Sequence, residues 1–370
     1  MNYLLPIEEK GYKYQRLIGT GGIGSGILFN LDGDHTMGRN ESRSGELTPF
    51  RDYCKLHIIS HYPTVLLGQG KKGFQTYPIG HVGDDDAGAV LVQEMKAVGI
   101  DTSGVSVIQG KPTLFSVCFQ YPDKSGGNIT TSNSAAELVS EEDIDAFCAG
   151  MPVNGANEMI LSVPEVPLAP RIRILEQGRI RGSFNIASFL SGEAAGFVAE
   201  GRIKLVDLLA INIDEAAAIT GGAKGLASAE IALRCARQLM EDNPKIMLIV
   251  TCGAEGSYTW HQGRLEYSPT FAKPEDVVST AGAGDAFLGG VIAGLLCGLP
   301  LTKGISDDTF GKTPLGSAVE LGTLVSNLKV TSPDTIYHEL DANMLIEACH
   351  IMDMKLSDAF ETMFGYKQLS

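Results

Sequence analysis

The chain has 370 residues, 44% of them hydrophobic and 20% charged, with 44 glycines and 16 prolines, so it can bury a large core without disulfides or metal. Lys and Arg number 29 against 44 Asp and Glu, a net charge of −15, which repels phosphate backbones and argues against a general nucleic-acid or anionic-membrane binder. A small phosphate ligand is still allowed, because amides at a helix start bind anions even on an acidic protein.

Seven cysteines (Cys54, Cys118, Cys148, Cys235, Cys252, Cys297, Cys349) are scattered, odd in number and never spaced C-x-x-C. They suggest neither a disulfide framework nor a zinc cluster, and fit a reducing cytoplasm. Met1 to Lys13 carries Glu8 and Glu9 and has no apolar run, so no signal peptide is expected.

In chain order, Arg16 to Ile27 reads as a glycine-rich strand. Within it, Gly19 to Gly24 satisfies G-x-G-x-x-G literally, but Ser25 to Leu31 looks extended where a dinucleotide fingerprint needs a helix. An NAD-dependent dehydrogenase is therefore the weaker alternative. Tyr77 to Val82 is a strand, Asp84 to Asp86 a turn or cap, and Ala87 to Val98 a helix closed by Gly99. Thr113 to Tyr121, a turn over Pro122 to Gly127, and Asn128 to Thr131 make a β-hairpin, either an edge decoration or a lid. Strands follow at Met159 to Val163, Gly182 to Ile186, Leu205 to Ile211 and Ile246 to Thr251, with helices at Ala227 to Met240 and Asp285 to Cys297. The uncharged stretch Ala286 to Thr302 is shorter than the ~20 residues that span a bilayer and reads as a buried core helix. Beyond Asp341 a helical tail, residues 341–370, is expected. The alternation predicts an α/β domain over 1–370, a mostly parallel sheet flanked by helices, with no linker or repeat.

The segment Val278-Ser279-Thr280-Ala281-Gly282-Ala283-Gly284-Asp285-Ala286-Phe287 is a turn of small residues running into an apolar helix. Glycines let a ligand approach the backbone, and first-turn amides with the helix dipole stabilise the charge of a transferring phosphoryl group. Asp285 at the mouth of that anion site is placed to take the proton from an attacking hydroxyl. A helix cap and tight turn alone would explain the helix start, but not three small residues before it.

This segment resembles the D-T-x-G-A-G-D-x-F signature of the ribokinase-like (PfkB-type) carbohydrate kinases, with Ser279 where the signature has its first Asp. Three further stretches agree in order. Asn212-Ile213-Asp214-Glu215 resembles N-x-x-E, in which the resemblance implies that Glu215 acts on Mg2+ through water and Asn212 lies near the phosphates. A helix cap with acidic first-turn residues would look the same. Thr251-Cys252-Gly253-Ala254-Glu255-Gly256 resembles the T-x-G-x-x-G turn, implying nucleotide contacts at Thr251, Gly253 and Gly256. Pro78 to Gly88 resembles the family's i-G-x-v-G-x-D-x-x-G stretch, and the hairpin then corresponds to its β lid. The likeness runs over residues 76 to 330. It implies a ribokinase-like fold with a small β lid from roughly 26–36 and 111–134. It implies an ATP- and Mg2+-dependent transfer to an alcohol of a sugar, nucleoside or small polyol, with Asp285 as base and Gly282, Ala283 and Gly284 as anion hole. By analogy it also implies a homodimer.

The N-terminal part departs from the family. Gly26 stands about where a sugar-binding Asp is expected, and no G-G-x-x-x-N segment precedes Gly68. Arg39 and Arg43, in GRNESRSGE, are candidate acceptor ligands; if they face the cleft, they select an anionic acceptor. Otherwise they belong to a solvated loop. These departures also motivate a non-enzyme alternative, a kinase-shaped binding protein that has lost catalysis, against which Asp285 and Glu215 argue.

Overall fold

The computed structural model of the chain describes residues 12–67, 74–123, 126–222, 225–304 and 313–358. Residues 1–11, most of the segment expected to lack a signal peptide, and 359–370 of the tail lie outside the described residues. The N-terminal half runs β1 (Arg16–Thr20), β2 (Gly24–Leu31), β3 (Gly45–Tyr53), α1 (Lys55–Leu67), β4 (Gln75–Gly83), α2 (Asp86–Ala97), β5 (Val105–Ile108), β6 (Leu114–Gln120) and β7 (Gly126–Thr130). The middle alternates α3 (Glu141–Gly150), β8 (Glu158–Ser162), α4 (Leu168–Arg181), β9 (Phe184–Ala187), α5 (Ser191–Ala199), β10 (Leu208–Asn212), α6 (Ile213–Ile219), α7 (Ser228–Asp242) and β11 (Met247–Thr251). The chain ends in the hairpin β12 (Ser257–His261) and β13 (Arg264–Ser268), then α8 (Ala283–Leu296), α9 (Ala318–Lys329) and α10 (Ala342–Ile351).

Nine strands form one sheet in the order β13-β12-β11-β10-β9-β8-β1-β4-β5, antiparallel only where β12 pairs with β11 and β13. Alternate side chains enter two cores: Leu17, Leu161 and Ile249 pack with α1, α8 and α9, whereas Ile18, Ile160 and Leu209 pack on the other face. Burial on both faces is why these strands read as near-continuous apolar runs. The α8 and α9 backbones approach closely, since a Cβ on Gly290 would lie 2.8 Å from the Gly322 Cα. The core helix expected at 286–302 is found as α8, buried almost throughout, but it ends at Leu296.

The second sheet, β3-β2-β6-β7, is the lid. The single strand expected over 16–27 is corrected: it breaks at 21–23, where β1 leaves the large sheet and β2 begins the lid. A Cβ on Gly21 would sit 2.3 Å from Val163 Cγ2, and one on Gly22 2.4 Å from Glu165 Cβ, so only glycine passes this crossing. The lid strand expected at 26–36 ends at Leu31, and sequence reading missed β3. Ser25 to Leu31 is a strand, as the sequence indicated, so the dinucleotide fingerprint has no helix to open.

Candidate active site

The site lies at the carboxyl ends of the parallel strands, where the lid joins the large sheet, the place at which α/β sheets bind ligands. Gly282 caps α8 with φ +75°, and its α-carbon is pressed on residue 335, where a Cβ would stand 2.5 Å from the Thr335 carbonyl. The turn is built by short steps: the Ala281 N–H donates to Ser279 Oγ at 3.3 Å, and the Ala283 N–H donates to the Thr280 carbonyl at 3.1 Å. Ser279 thus ties the loop through its hydroxyl. Ala283 has spent its amide, whereas among the described residues the amides of Gly284 and Asp285 have no backbone acceptor, and space is open beside Gly284. The helix starts two residues earlier than expected, so Asp285 is a first-turn residue and not the cap.

Asn212 and Thr251 end β10 and β11 and are directly opposite in register, which brings the two expected nucleotide-side residues together. Gly253 (φ +57°) and Gly256 (φ +110°) turn the chain after Thr251, and a Cβ on Gly256 would meet the Ser268 carbonyl at 2.2 Å. Glu215 is buried, 8% exposed. It closes a capping box, accepting from the Asn212 N–H at 2.8 Å while its own N–H donates to Asn212 Oδ1 at 2.9 Å. Burial raises its carboxyl, and the charges of Lys55 and Asp285 act on it, so it belongs to the site as well as to the cap.

Sequence reasoning missed Lys55, Glu165 and Asp52, which the fold gathers around Asp285. Lys55, first residue of α1, places Nζ 3.2 Å from Asp285 Oδ1. Its ammonium is stabilised chiefly by Asp285 and also by Glu165 and Glu215. Glu165 holds φ +79°, uncommon for a residue with a side chain, and its Oε2 accepts from the Lys55 N–H at 2.9 Å. Burial pushes its carboxyl up to about 7. Asp52 on β3 pairs with Gly26 on β2, and a Cβ on Gly26 would lie 2.3 Å from Asp52 Oδ2. The carboxylate of Asp52 therefore occupies the space of the side chain that Gly26 lacks. Burial raises it to about 6, partly offset by bonds from Cys118, Tyr53 and Thr335, and Asp285 adds to the rise.

Arg39 and Arg43 are not brought to this cluster. Arg43 donates to Glu41 Oε1 at 2.8 Å and to the His35 carbonyl at 2.6 Å, and lies over the Tyr121 ring. Arg39 is exposed in the same connection. Tyr121 is five residues along β6 from Ser116, the partner of Gly26, roughly 16 Å at the rise of a strand. Within this loop the acid Glu41 neutralises Arg43.

A family profile described as pfkB family carbohydrate kinase matches residues 65–342. Among curated proteins, the bifunctional ribokinase/ribose-5-phosphate isomerase A of Fructilactobacillus sanfranciscensis is 25% identical over 252 residues, 68% of this chain but 44% of that protein, so the chain spans less than half of that relative. A fructokinase of Klebsiella pneumoniae is 26% identical over 72% of this chain and 84% of its own. In fold, the chain is similar to the ribokinase of Cryptococcus neoformans var. grubii in complex with ADP, with TM-score 0.70, 18% identity, and 90% and 99% of the two chains covered.

Proposed function

The chain belongs to the pfkB family of carbohydrate kinases, and from that membership and its site we propose that it transfers the γ-phosphoryl group of ATP to a hydroxyl of a neutral sugar, nucleoside or related polyol. The observation that carries the reading is Asp285 in the first turn of α8, beside two unspent amides, within 3.2 Å of Lys55 and under the charges of Asp52 and Glu165. The amides face the charge that spreads over the transferring group. Asp285 accepts the proton of the attacking hydroxyl, and Lys55 holds its carboxylate in place. Asp52 and Glu165 accept hydrogen bonds from other hydroxyls of the acceptor, each worth about 0.5–1.5 kcal/mol net for a neutral pair and more when the acceptor is charged. Two carboxylates on that side repel an anionic acceptor, which favours the neutral class.

Mg2+ fits the donor chemistry of this edge, because a hard cation that keeps its waters needs only one or two carboxylates near the phosphates. Glu215 would hold it through water and Asn212 would stand beside the phosphates; when bound, the ion neutralises phosphate charge. Thr251, Gly253 and Gly256 would line the nucleotide turn.

The lid's outer face carries Leu47, Phe115 and Ile129, which are 54%, 37% and 64% exposed. A second copy of the chain covering that face would give a homodimer, as one-sided apolar sheets require a partner. The kinase reading is tested by ADP release from ATP and Mg2+ with ribose, fructose, nucleosides and their phosphates. Turnover with a neutral acceptor supports it, and turnover with anionic acceptors alone overturns the acceptor class.

A further inference from the structure

Lys329, the last residue of α9, is 0% exposed, yet its ammonium takes no part in the chemistry described above. Its Nζ donates to the Ser279 carbonyl at 3.1 Å. The next residue reinforces the contact: the Val330 carbonyl accepts from the Val278 N–H at 2.8 Å and the Ser279 N–H at 3.1 Å. The end of α9 thus grips residues 278 and 279 by three hydrogen bonds. From there the steps described for Ser279, Thr280 and Gly282 lead to the open amides of Gly284 and Asp285. An ammonium at a helix C-terminus also meets the negative end of the dipole.

A neutral side chain of similar volume would fill this space without the cost of burying a charge. What the ammonium adds is a donor and a positive charge at the root of the anion turn. We propose that Lys329 is a positioning residue, a tethered cation that holds the Ser279–Gly282 turn in the conformation that receives the γ-phosphate. The inference rests on the kinase reading. Three carboxylates act on the ammonium, Asp334, Asp52 and Asp285, and raise its proton affinity, while burial outweighs them and brings the group down to about 8. Asp334 also accepts from the Arg51 N–H at 2.8 Å, and the Thr335 N–H donates to the Arg51 carbonyl at 3.1 Å, so the segment facing Lys329 is itself pinned to the lid strand β3.

The experiment compares the affinities of ADP and of a non-hydrolysable ATP analogue by calorimetry, with melting temperature read in parallel. In Lys329→Met the preference for the triphosphate is expected to fall about tenfold with ADP affinity and melting temperature held. In the wild type that preference should fade above pH 8, and in Lys329→Met it should not depend on pH there. Lys329→Ala, which leaves a cavity, should regain the preference with added ammonium or methylammonium, to which the wild type is indifferent. An unchanged preference in both variants, or a fall in both nucleotides' affinities together with melting temperature and no rescue, overturns the inference alone. A wild-type protein that binds neither nucleotide overturns the kinase reading and this inference with it.

Discussion

Lys55 Nζ stands 3.2 Å from Asp285 Oδ1, joining the first residue of α1 to the first turn of α8 across 230 positions of sequence. Both side chains are partly exposed, at 30% and 17%, so the pair is open to the cleft and not sealed in the core. An open pair of this kind adds little to stability, which leaves its effect on the reaction as the measurable one. Lys55→Met is expected to lower kcat about tenfold to a hundredfold through misplacement of the base, with melting temperature nearly unchanged. An unaltered kcat would remove Lys55 from the mechanism.

Asp52 and Gly26 share one space, so the acceptor side has two complementary tests. Gly26→Ala puts a methyl group 2.3 Å from Asp52 Oδ2 and 2.8 Å from the Ser116 carbonyl, and it should raise acceptor KM tenfold or more while ATP KM stays within about twofold. Asp52→Asn should raise acceptor KM in the same way. Because burial raises Asp52 to about 6, its hydrogen-bond-accepting form is lost as pH falls through that value. Acceptor kcat/KM of the wild type should therefore fall below about pH 6. Asp52→Asn should remove the component near pH 6 and leave the one that Glu165, raised to about 7, contributes; survival of the component near pH 6 would assign it to another group.

The cap seen at Glu215 and the Mg2+ role proposed for it separate by substitution. Glu215→Gln keeps an oxygen for the Asn212 N–H and should raise the Mg2+ requirement with little change in melting temperature. Glu215→Ala also loses the box and should cost a further ~1 kcal/mol of stability. Equal destabilisation by both, with normal Mg2+ dependence, would make Glu215 a cap only.

The lid's outer face predicts the assembly. Ile129→Lys, at a position 64% exposed, should turn a dimer into a monomer in sedimentation without unfolding the domain. A wild type that is monomeric at all concentrations would show that the face has no second copy on it.

Six strands of the large sheet were legible because they are short apolar runs between helices, whereas the edge strand β5 and the hairpin β12–β13 went unread; the anion turn was legible because three small residues precede Asp285 for a reason a plain helix start does not supply. The lid was half legible. β6 and β7 have a turn between them, but β3 contains Pro49, which argues against a central strand and is tolerated because β3 lies at the sheet's edge. α1 went unread because it is buried nearly all round, its polar His57, Ser60, His61 and Thr64 included, and contains Pro63, so no amphipathic period announces it. Lys55 and Asp52 flank no motif and meet Asp285 and Gly26 only through the fold. The one signal was indirect: Gly26 lacks a side chain where one is needed, and the compensating carboxylate comes from the paired strand. Glu165 is marked by its positive φ, which the sequence PEVP does not reveal.

The most direct measurement is transfer of labelled γ-phosphate from ATP to a neutral polyol by the wild type and by Asp285→Asn, with ATP affinity determined for both. The site predicts a labelled acceptor from the wild type, a rate lower by ~10² to 10⁴ in Asp285→Asn, and ATP affinity nearly equal in the two. Transfer by Asp285→Asn at more than half the wild-type rate would contradict the assignment of Asp285 as the base.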